Sequence, residues 1–127
     1  MADKTVEEVV ISYLNGHADI EYPAYGDTPY KNNLPAHHYM VEKTGSNTRD
    51  RITTAQITIQ SVTVQSKAQA ARMNERMTGV MEGIVGTSGI SACHLNSDYD
   101  YTDTTSKRWR YQAVFDITYN REVLSNG

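Results

Sequence analysis

The sequence predicts an α+β fold in two layers, a four-stranded, mainly antiparallel sheet with two helices packed on one face, in the order α-β-β-α-β-β. Three observations carry that expectation. Residues 5–17 and 66–84 repeat apolar side chains every three or four positions, as amphipathic helices do. Residues 36–45, 51–65, 90–103 and 106–120 either alternate in polarity or are rich in β-branched residues, the signature of strands. With 127 residues the chain has the length of one ordinary domain, so a single domain over 1–127 is expected to share one core.

The first helix is expected to start at Thr5, because Thr5 and Glu8 have the spacing of a capping box, in which hydroxyl and carboxylate each satisfy a backbone N–H left open by the first turn. Val6, Val9, Val10, Tyr13, Leu14 and His17 form its apolar stripe, Glu7 and Ser12 point outward, and Asn15-Gly16 is a natural stop. Residues 19–35 hold all three prolines and Gly26, which predicts an irregular loop with a short extended piece at Ile20–Tyr22. "AHHYMVEKTG" (36–45) reads as a strand stopped by a turn at Gly45-Ser46-Asn47, and "RITTAQITIQSVTVQ" (51–65) as its hairpin partner. Ala55, Ile57 and Ile59 keep one phase while Val62 and Val64 keep the other, which predicts a bulge or a strand end near Gln60-Ser61.

Ser66 and Gln69 have the spacing of a second capping box, followed by the stripe Ala70, Met73, Met77, Val80, Met81 and Ile84 on a helix running to about Glu82-Gly83. The methionines are read as core. "ISACHLNSDYDYTD" (90–103) is the third strand, and "SKRWRYQAVFDITYN" (106–120) contains the fourth. In that last segment Trp109, Tyr111, Ala113, Phe115, Ile117 and Tyr119 share one side, which is expected to lie under the helices. The other side is mostly polar.

Length adds a further expectation. A domain of this size has a radius of gyration of about 14 Å and a diameter of roughly 36 Å, whereas residues 108–120 fully extended would span roughly 43 Å. The hairpins are therefore expected to project, and exposed strand edges recruit other chains.

Composition bears on partners. The formal charge of -3 gives no general attraction to nucleic acid or an anionic membrane, so the expected partner is protein. The single cysteine, Cys93, excludes an internal disulfide and fits a reducing compartment. The start "MADKTVEEVV" reads as an acidic amphipathic helix rather than a secretory signal, and no stretch approaches a membrane span, so a soluble chain is expected.

No catalytic signature stands out. Cys93-His94 and His37-His38 are neighbours on strands and so diverge to opposite faces, which argues against a thiolate–imidazole pair and against a metal site with Asp27 or Glu42. Asp98, Asp100 and Asp103 in "DYDYTD" suggest calcium, but an EF-hand would need glycine at Asp103 and glutamate at Trp109. These residues are either solvated carboxylates of a hairpin loop or, with their tyrosines, the polar rim of a protein contact. Nucleotide, dinucleotide, esterase and zincin motifs are lacking, so no enzyme, cofactor or metal is expected. Arg49 and Arg51 near the first turn, and Lys107, Arg108 and Arg110 around Trp109, are read as interface contacts in preference to nucleobase stacking.

Taken together, a short amphipathic N-terminal helix, the loop "YPAYGDTP", a strand closing on "VEKTG", an Ala-rich helix entered through a Ser cap and a last strand opening "RYQ" resemble the tail terminator proteins of long-tailed bacteriophages of the siphovirus type, especially those infecting actinobacteria. The resemblance covers nearly the whole chain. It implies a non-enzymatic virion protein that forms a ring, usually of six subunits, on the head-proximal end of the tail tube. Such a ring, assembled in the host cytoplasm, stops tube polymerisation and gives the head connector a docking surface, while genomic DNA passes through the lumen without specific binding. On this sequence it implies assembly contacts at Glu42, Lys43, Arg49 and Arg51 in the first hairpin and at Arg108, Trp109 and Arg110 in the second, with Asp98, Tyr99, Asp100 and Tyr101 as a docking loop. That loop is more acidic and tyrosine-rich than the family pattern. The alternatives are another neck component, a head-to-tail connector or stopper protein, and a small single-stranded nucleic-acid-binding module; a metal-dependent enzyme ranks last.

Overall fold

The computed structural model describes residues 5–26, 35–49, 52–87, 89–102 and 108–120. Asp27, Pro29, Arg51, Asp103 and Lys107, which figure in the sequence reading, lie outside them. The chain is α+β, with helix α1 (Val6–Gly16), strands β1 (Ala24–Tyr25), β2 (His37–Arg49) and β3 (Ile52–Thr63), helix α2 (Lys67–Met81), a 3-10 turn (Glu82–Gly86), and strands β4 (Ile90–Asp100) and β5 (Trp109–Asn120). The sheet has five strands rather than four, in the order β1-β2-β3-β5-β4, and it is mixed, because β1 runs parallel to β2 while the other neighbours are antiparallel.

Thr5 caps α1 in both directions. Its hydroxyl accepts from the Glu8 N–H at 3.2 Å and its own N–H donates to Glu8 Oε1 at 3.1 Å. Val6, Val10 and Leu14 are buried, and the Tyr13 hydroxyl donates to the Val80 carbonyl at 2.7 Å, pinning α1 to the end of α2. A Cβ at Gly83 would sit 2.7 Å from that hydroxyl, so a larger residue there would push the Tyr13 side chain aside and disturb this bond. Glu7 departs from expectation. It is half-buried, with one carboxylate oxygen shielded from water and unpartnered among the described residues.

The additional strand arises inside the proline-rich loop, two residues beyond the extended piece expected at Ile20–Tyr22. Asn15 at the end of α1 accepts from the Ala24 N–H at 2.8 Å and donates to the Ala24 carbonyl at 3.1 Å. The Pro23 carbonyl meanwhile accepts from the Tyr39 N–H at 2.9 Å. The side-chain clip and the Pro23–Tyr39 bond lead into a short parallel ladder that holds Ala24–Tyr25 against Tyr39–Met40.

Strand β2 runs straight through Gly45-Ser46-Asn47, the expected turn, to Arg49. The register with β3 shifts between Lys43 and Gly45, so the glycine marks a bulge instead of a turn. The Thr44 hydroxyl donates to the Gln56 side chain at 3.0 Å across the bulge, and the Thr48 and Thr53 hydroxyls meet at 2.8 Å beyond it. Conversely, the bulge or strand end expected near Gln60-Ser61 does not form on the β5 side, where β3 keeps register from Ile52↔Asn120 to Thr63↔Trp109. Val62 is buried in the other phase because both faces are covered at that end, with His38 and Arg110 as its cross-strand neighbours.

One sheet face carries the helices. Tyr39, Val41, Ala55, Ile57, Ile59, Ala113, Phe115, Ile117 and Tyr119 pack there beneath Val10 and Leu14 of α1 and Met73, Met77, Val80 and Met81 of α2. The methionine stripe is therefore core, and Ile84 in the 3-10 turn extends it. Ser66 caps α2, accepting from the Gln69 N–H at 3.0 Å, but the expected capping box is only half made because the Gln69 side chain bonds elsewhere. Gly89, at φ 87°, turns the chain into β4, and its carbonyl accepts from the Asn120 N–H at 3.0 Å. Only glycine adopts that φ without strain.

The projecting hairpins take another form. Strand β5 lies against β3 along the whole of β3, so neither ribbon stands off alone. The surplus length goes into the sheet as a whole. Its exposed stretches lie on both outer strands, Glu42 to Arg49 in the outer half of β2 and His94 to Asp100 in β4.

Candidate assembly interface

The sequence-predicted contact residues form a first-hairpin group, spread from the middle of the sheet at Glu42 and Lys43 to one end at Arg49, and a second group at the other end. Arg49 pairs with Ile52, which pairs with Asn120, whereas Trp109 pairs with Thr63 at the far end. Eleven residue steps along β3 separate these ends, roughly 36 Å at about 3.3 Å per residue. The structure thus keeps Arg108, Trp109 and Arg110 near one another at one end, whereas Glu42 and Lys43 take opposite faces midway along the sheet and Arg49 lies roughly 20 Å further out, so these three do not cluster. Arg51 lies outside the described residues.

In the first group Glu42 lies opposite Thr58 on the helix-free face, Lys43 opposite Ile57 on the helix-bearing face, and Arg49 at the tip. None forms an ion pair with another described residue. β1 pairs with β2 only at Tyr39 and Met40, so from Val41 outward the far edge of β2 has no strand beside it among the described residues. β4 ends the sheet on the other side. The sheet therefore offers two strand edges of different sequence.

In the second group Trp109 is half-buried on the helix-bearing side, and Arg108 and Arg110 lie next to His38. Arg108 Nη1 donates to the Pro35 carbonyl at 3.4 Å, and His38 Nδ1, which must carry the proton, donates to the same oxygen at 3.1 Å. Burial pushes the His38 imidazole below its ordinary value; the Pro35 bond opposes that, and the two guanidinium groups reinforce it. Arg110 begins a polar ladder across the helix-free face. Its Nη1 donates to Gln60 Oε1 at 3.1 Å, Gln60 Nε2 to Gln112 Oε1 at 2.9 Å, and Gln112 Nε2 to the Tyr99 hydroxyl. Arg110 Nε is buried without a partner among the described residues. Gln60 and Gln112 are not among the sequence-predicted contacts, and His38 figures there only as a rejected metal ligand; the signal for Gln112 is the polar phase opposite the aromatic face of 109–119.

The segment expected as a docking loop is strand. Asp98, Tyr99 and Asp100 belong to β4, and Tyr101 follows directly, its N–H bonding the Arg110 carbonyl at 2.8 Å. Alternation divides it chemically. Asp98 accepts from Asn74 Nδ2 at 2.7 Å, and Asp100 meets Lys67 Nζ at 3.0 Å, so both carboxylates are spent on α2. Hydrogen bonds from the Thr102 hydroxyl and from Lys67 hold the Asp100 carboxyl down to about 2. Tyr99 and Tyr101 face away from the helices, edge to face with centroids 6.0 Å apart, and are among the most exposed large side chains.

Cys93 and His94 lie opposite Ile117 and Asp116 respectively and so on different faces, too divergent for a nucleophile and its base. Burial pushes the Cys93 thiol up to about 11. His37 and His38 diverge likewise, His37 Nδ1 bonding Thr63 Oγ1 at 2.7 Å on the helix side. Among the described residues no three His, Cys, Asp or Glu side chains come together, and no helix is long and apolar enough to cross a membrane. Chemically this is a surface of guanidinium, amide and phenol groups, suited to contacts with another macromolecule. Comparison with known protein families and with curated proteins finds no family model and no protein that matches this chain.

Proposed function

We propose that the chain is a structural ring subunit of the tail terminator type, seated on the head-proximal end of a phage tail tube, where it stops tube growth and docks the head connector. The observation that carries the reading is the outer half of β2, Glu42–Arg49, exposed throughout and, among the described residues, lacking a strand on its far edge. Backbone donors and acceptors along such an edge are satisfied by another strand. β4 supplies an edge of different sequence on the other side of the same sheet, so pairing between copies would be head-to-tail, the arrangement that closes into rings. The placement of Arg49 at one end of the sheet and of Arg108, Trp109 and Arg110 at the other fits the same geometry, because a head-to-tail contact joins unlike surfaces. The helix-free face is dominated by the uncharged side chains of Thr54, Thr58, Gln60, Gln112 and Thr118, which would neutralise few phosphates of passing DNA. Six subunits, the tube protein and connector as partners, and a place in the virion belong to this proposal.

Negative-stain images of the protein mixed with tail tubes test it. Density confined to one tube end is expected; a protein that ignores tubes and binds the head-side connector instead would move the assignment to a connector or stopper.

A second reading rests on its own observation: exposed Tyr99 and Tyr101 lie on the same sheet face as Arg110, a combination able to stack and neutralise single-stranded nucleic acid. A salt-titrated binding assay separates the two, since a nucleic-acid module loses affinity steeply as salt rises.

A further inference from the structure

A cavity of about 150 Å³ opens between the first half of α2 and the segment leading into β1. Its deep side is made by Tyr39 and Met73, both buried, and its rim by Tyr22, Gln69, Arg72 and Arg76, with Glu21 beside them. The half-made cap of α2 has its explanation here. The Gln69 side chain turns away from the helix start, donates to the Tyr22 hydroxyl at 3.4 Å and accepts from Arg72 Nη2 at 3.1 Å. Gln69 thereby braces the Arg72 guanidinium at the cavity mouth. The Tyr39 hydroxyl, with only a long 3.4 Å bond to the Met73 carbonyl, is pushed well above its ordinary value by burial and so keeps its proton.

The charges do not balance. Arg76 Nη1 meets Glu21 Oε1 at 2.7 Å, but Arg72 meets no carboxylate among the described residues. The cavity therefore presents one guanidinium neutralised by a carboxylate, one braced only by a neutral amide, and two phenols. We propose that it is a binding site for a small oxyanion, a free phosphate or carboxylate, gripped by Arg72 and supported by Arg76 and the Tyr22 hydroxyl. A planar guanidinium fork matches either anion with paired hydrogen bonds. The space suits a small ligand, since about 150 Å³ holds one such anion with water around it. Glu21 is the built-in competitor, because an arriving anion contends with it for Arg76. The proposal stands apart from the ring assignment and does not depend on it.

The test is a titration of the isotopically labelled full chain with sodium phosphate, and separately with sodium acetate, at ionic strength held constant with chloride. The readouts are the Gln69 side-chain amide and the Arg72 Nε–H resonances. Saturable shifts confined to the cavity are expected, with a dissociation constant of about 1 mM or tighter for at least one anion. Arg72→Gln should weaken binding by about tenfold or more, and Glu21→Gln should strengthen it several-fold, opposite responses that general surface charge at these exposed positions would not sharpen to this degree. Stronger binding of phosphate or of acetate identifies which oxyanion the cavity favours. Shifts that grow linearly with concentration, spread over the surface, or ignore both substitutions would overturn the proposal. Should Arg72→Gln disturb the fold, the Glu21→Gln titration decides alone.

Discussion

Cys93 and His38 show how burial sets reactivity. The Cys93 thiol packs against the core from β4, and with its pKa pushed up to about 11 almost none is thiolate at neutral pH. Alkylation by iodoacetamide at pH 7.5, followed by mass spectrometry, is expected to run at least about tenfold slower than for an unhindered thiol. His38 is almost wholly buried beside Arg108 and Arg110. Since its folded pKa lies below the ordinary 6.5, the unfolded chain binds the proton more readily. Stability is therefore full above about pH 6.5 and falls as the pH drops below it. Urea midpoints measured from pH 8 to pH 5 should decline in this way for the native chain and more shallowly for His38→Gln. The histidine spacing predicted that the pair diverges; which member is buried among arginines followed only from the placement of the Pro35 carbonyl.

The strands reveal which elements are self-sufficient. β1 has two residues and leans on the Asn15 clip. Asn15→Ala leaves the Ala24 N–H and carbonyl without that partner, and a loss of about 1–3 kcal/mol in urea unfolding is expected. A two-residue strand cannot display alternation, which is why the proline-rich loop gave no sign of it. β2 poses the opposite case, where Gly45-Ser46-Asn47 carries strong turn chemistry and yet continues the strand, because cross-strand bonding to Gln56 and Thr53 absorbs the glycine as a bulge. If the open edge pairs with another copy, Ser46→Lys with Asn47→Lys should abolish oligomers in sedimentation velocity, since charge on an edge strand blocks edge pairing. Both positions are exposed, so thermal stability should stay within about 0.5 kcal/mol of the native value.

The whole molecule is organised around a pairing of distant segments. β3 and β5 form the centre of the sheet, joining Ile52 to Asn120 and Thr63 to Trp109, with α2 and β4 folded in between. Loop-closure entropy must be met before these contacts form, so refolding is expected in milliseconds to seconds rather than microseconds. Trp109, the only tryptophan and half-buried at one end of the pairing, is a ready fluorescence reporter for stopped-flow refolding. A microsecond phase accounting for the full amplitude would contradict this view of the sheet.

By itself the sequence determined both helices, their buried stripes, the four long strands and the aromatic face beneath the helices. Caps, helical period and strand alternation are local and act over a few residues. Tertiary structure alone decided what needs a partner from elsewhere in the chain. It placed β1 through Asn15, carried β2 past its apparent turn and left the outer edge of β2 without a strand beside it among the described residues. It also divided Asp98 and Asp100 from Tyr99 and Tyr101, and drew Gln69 from its cap to brace Arg72. A side chain with two possible hydrogen-bond partners takes the one that folding brings within reach, and that choice is written in the packing of distant segments rather than in neighbouring residues.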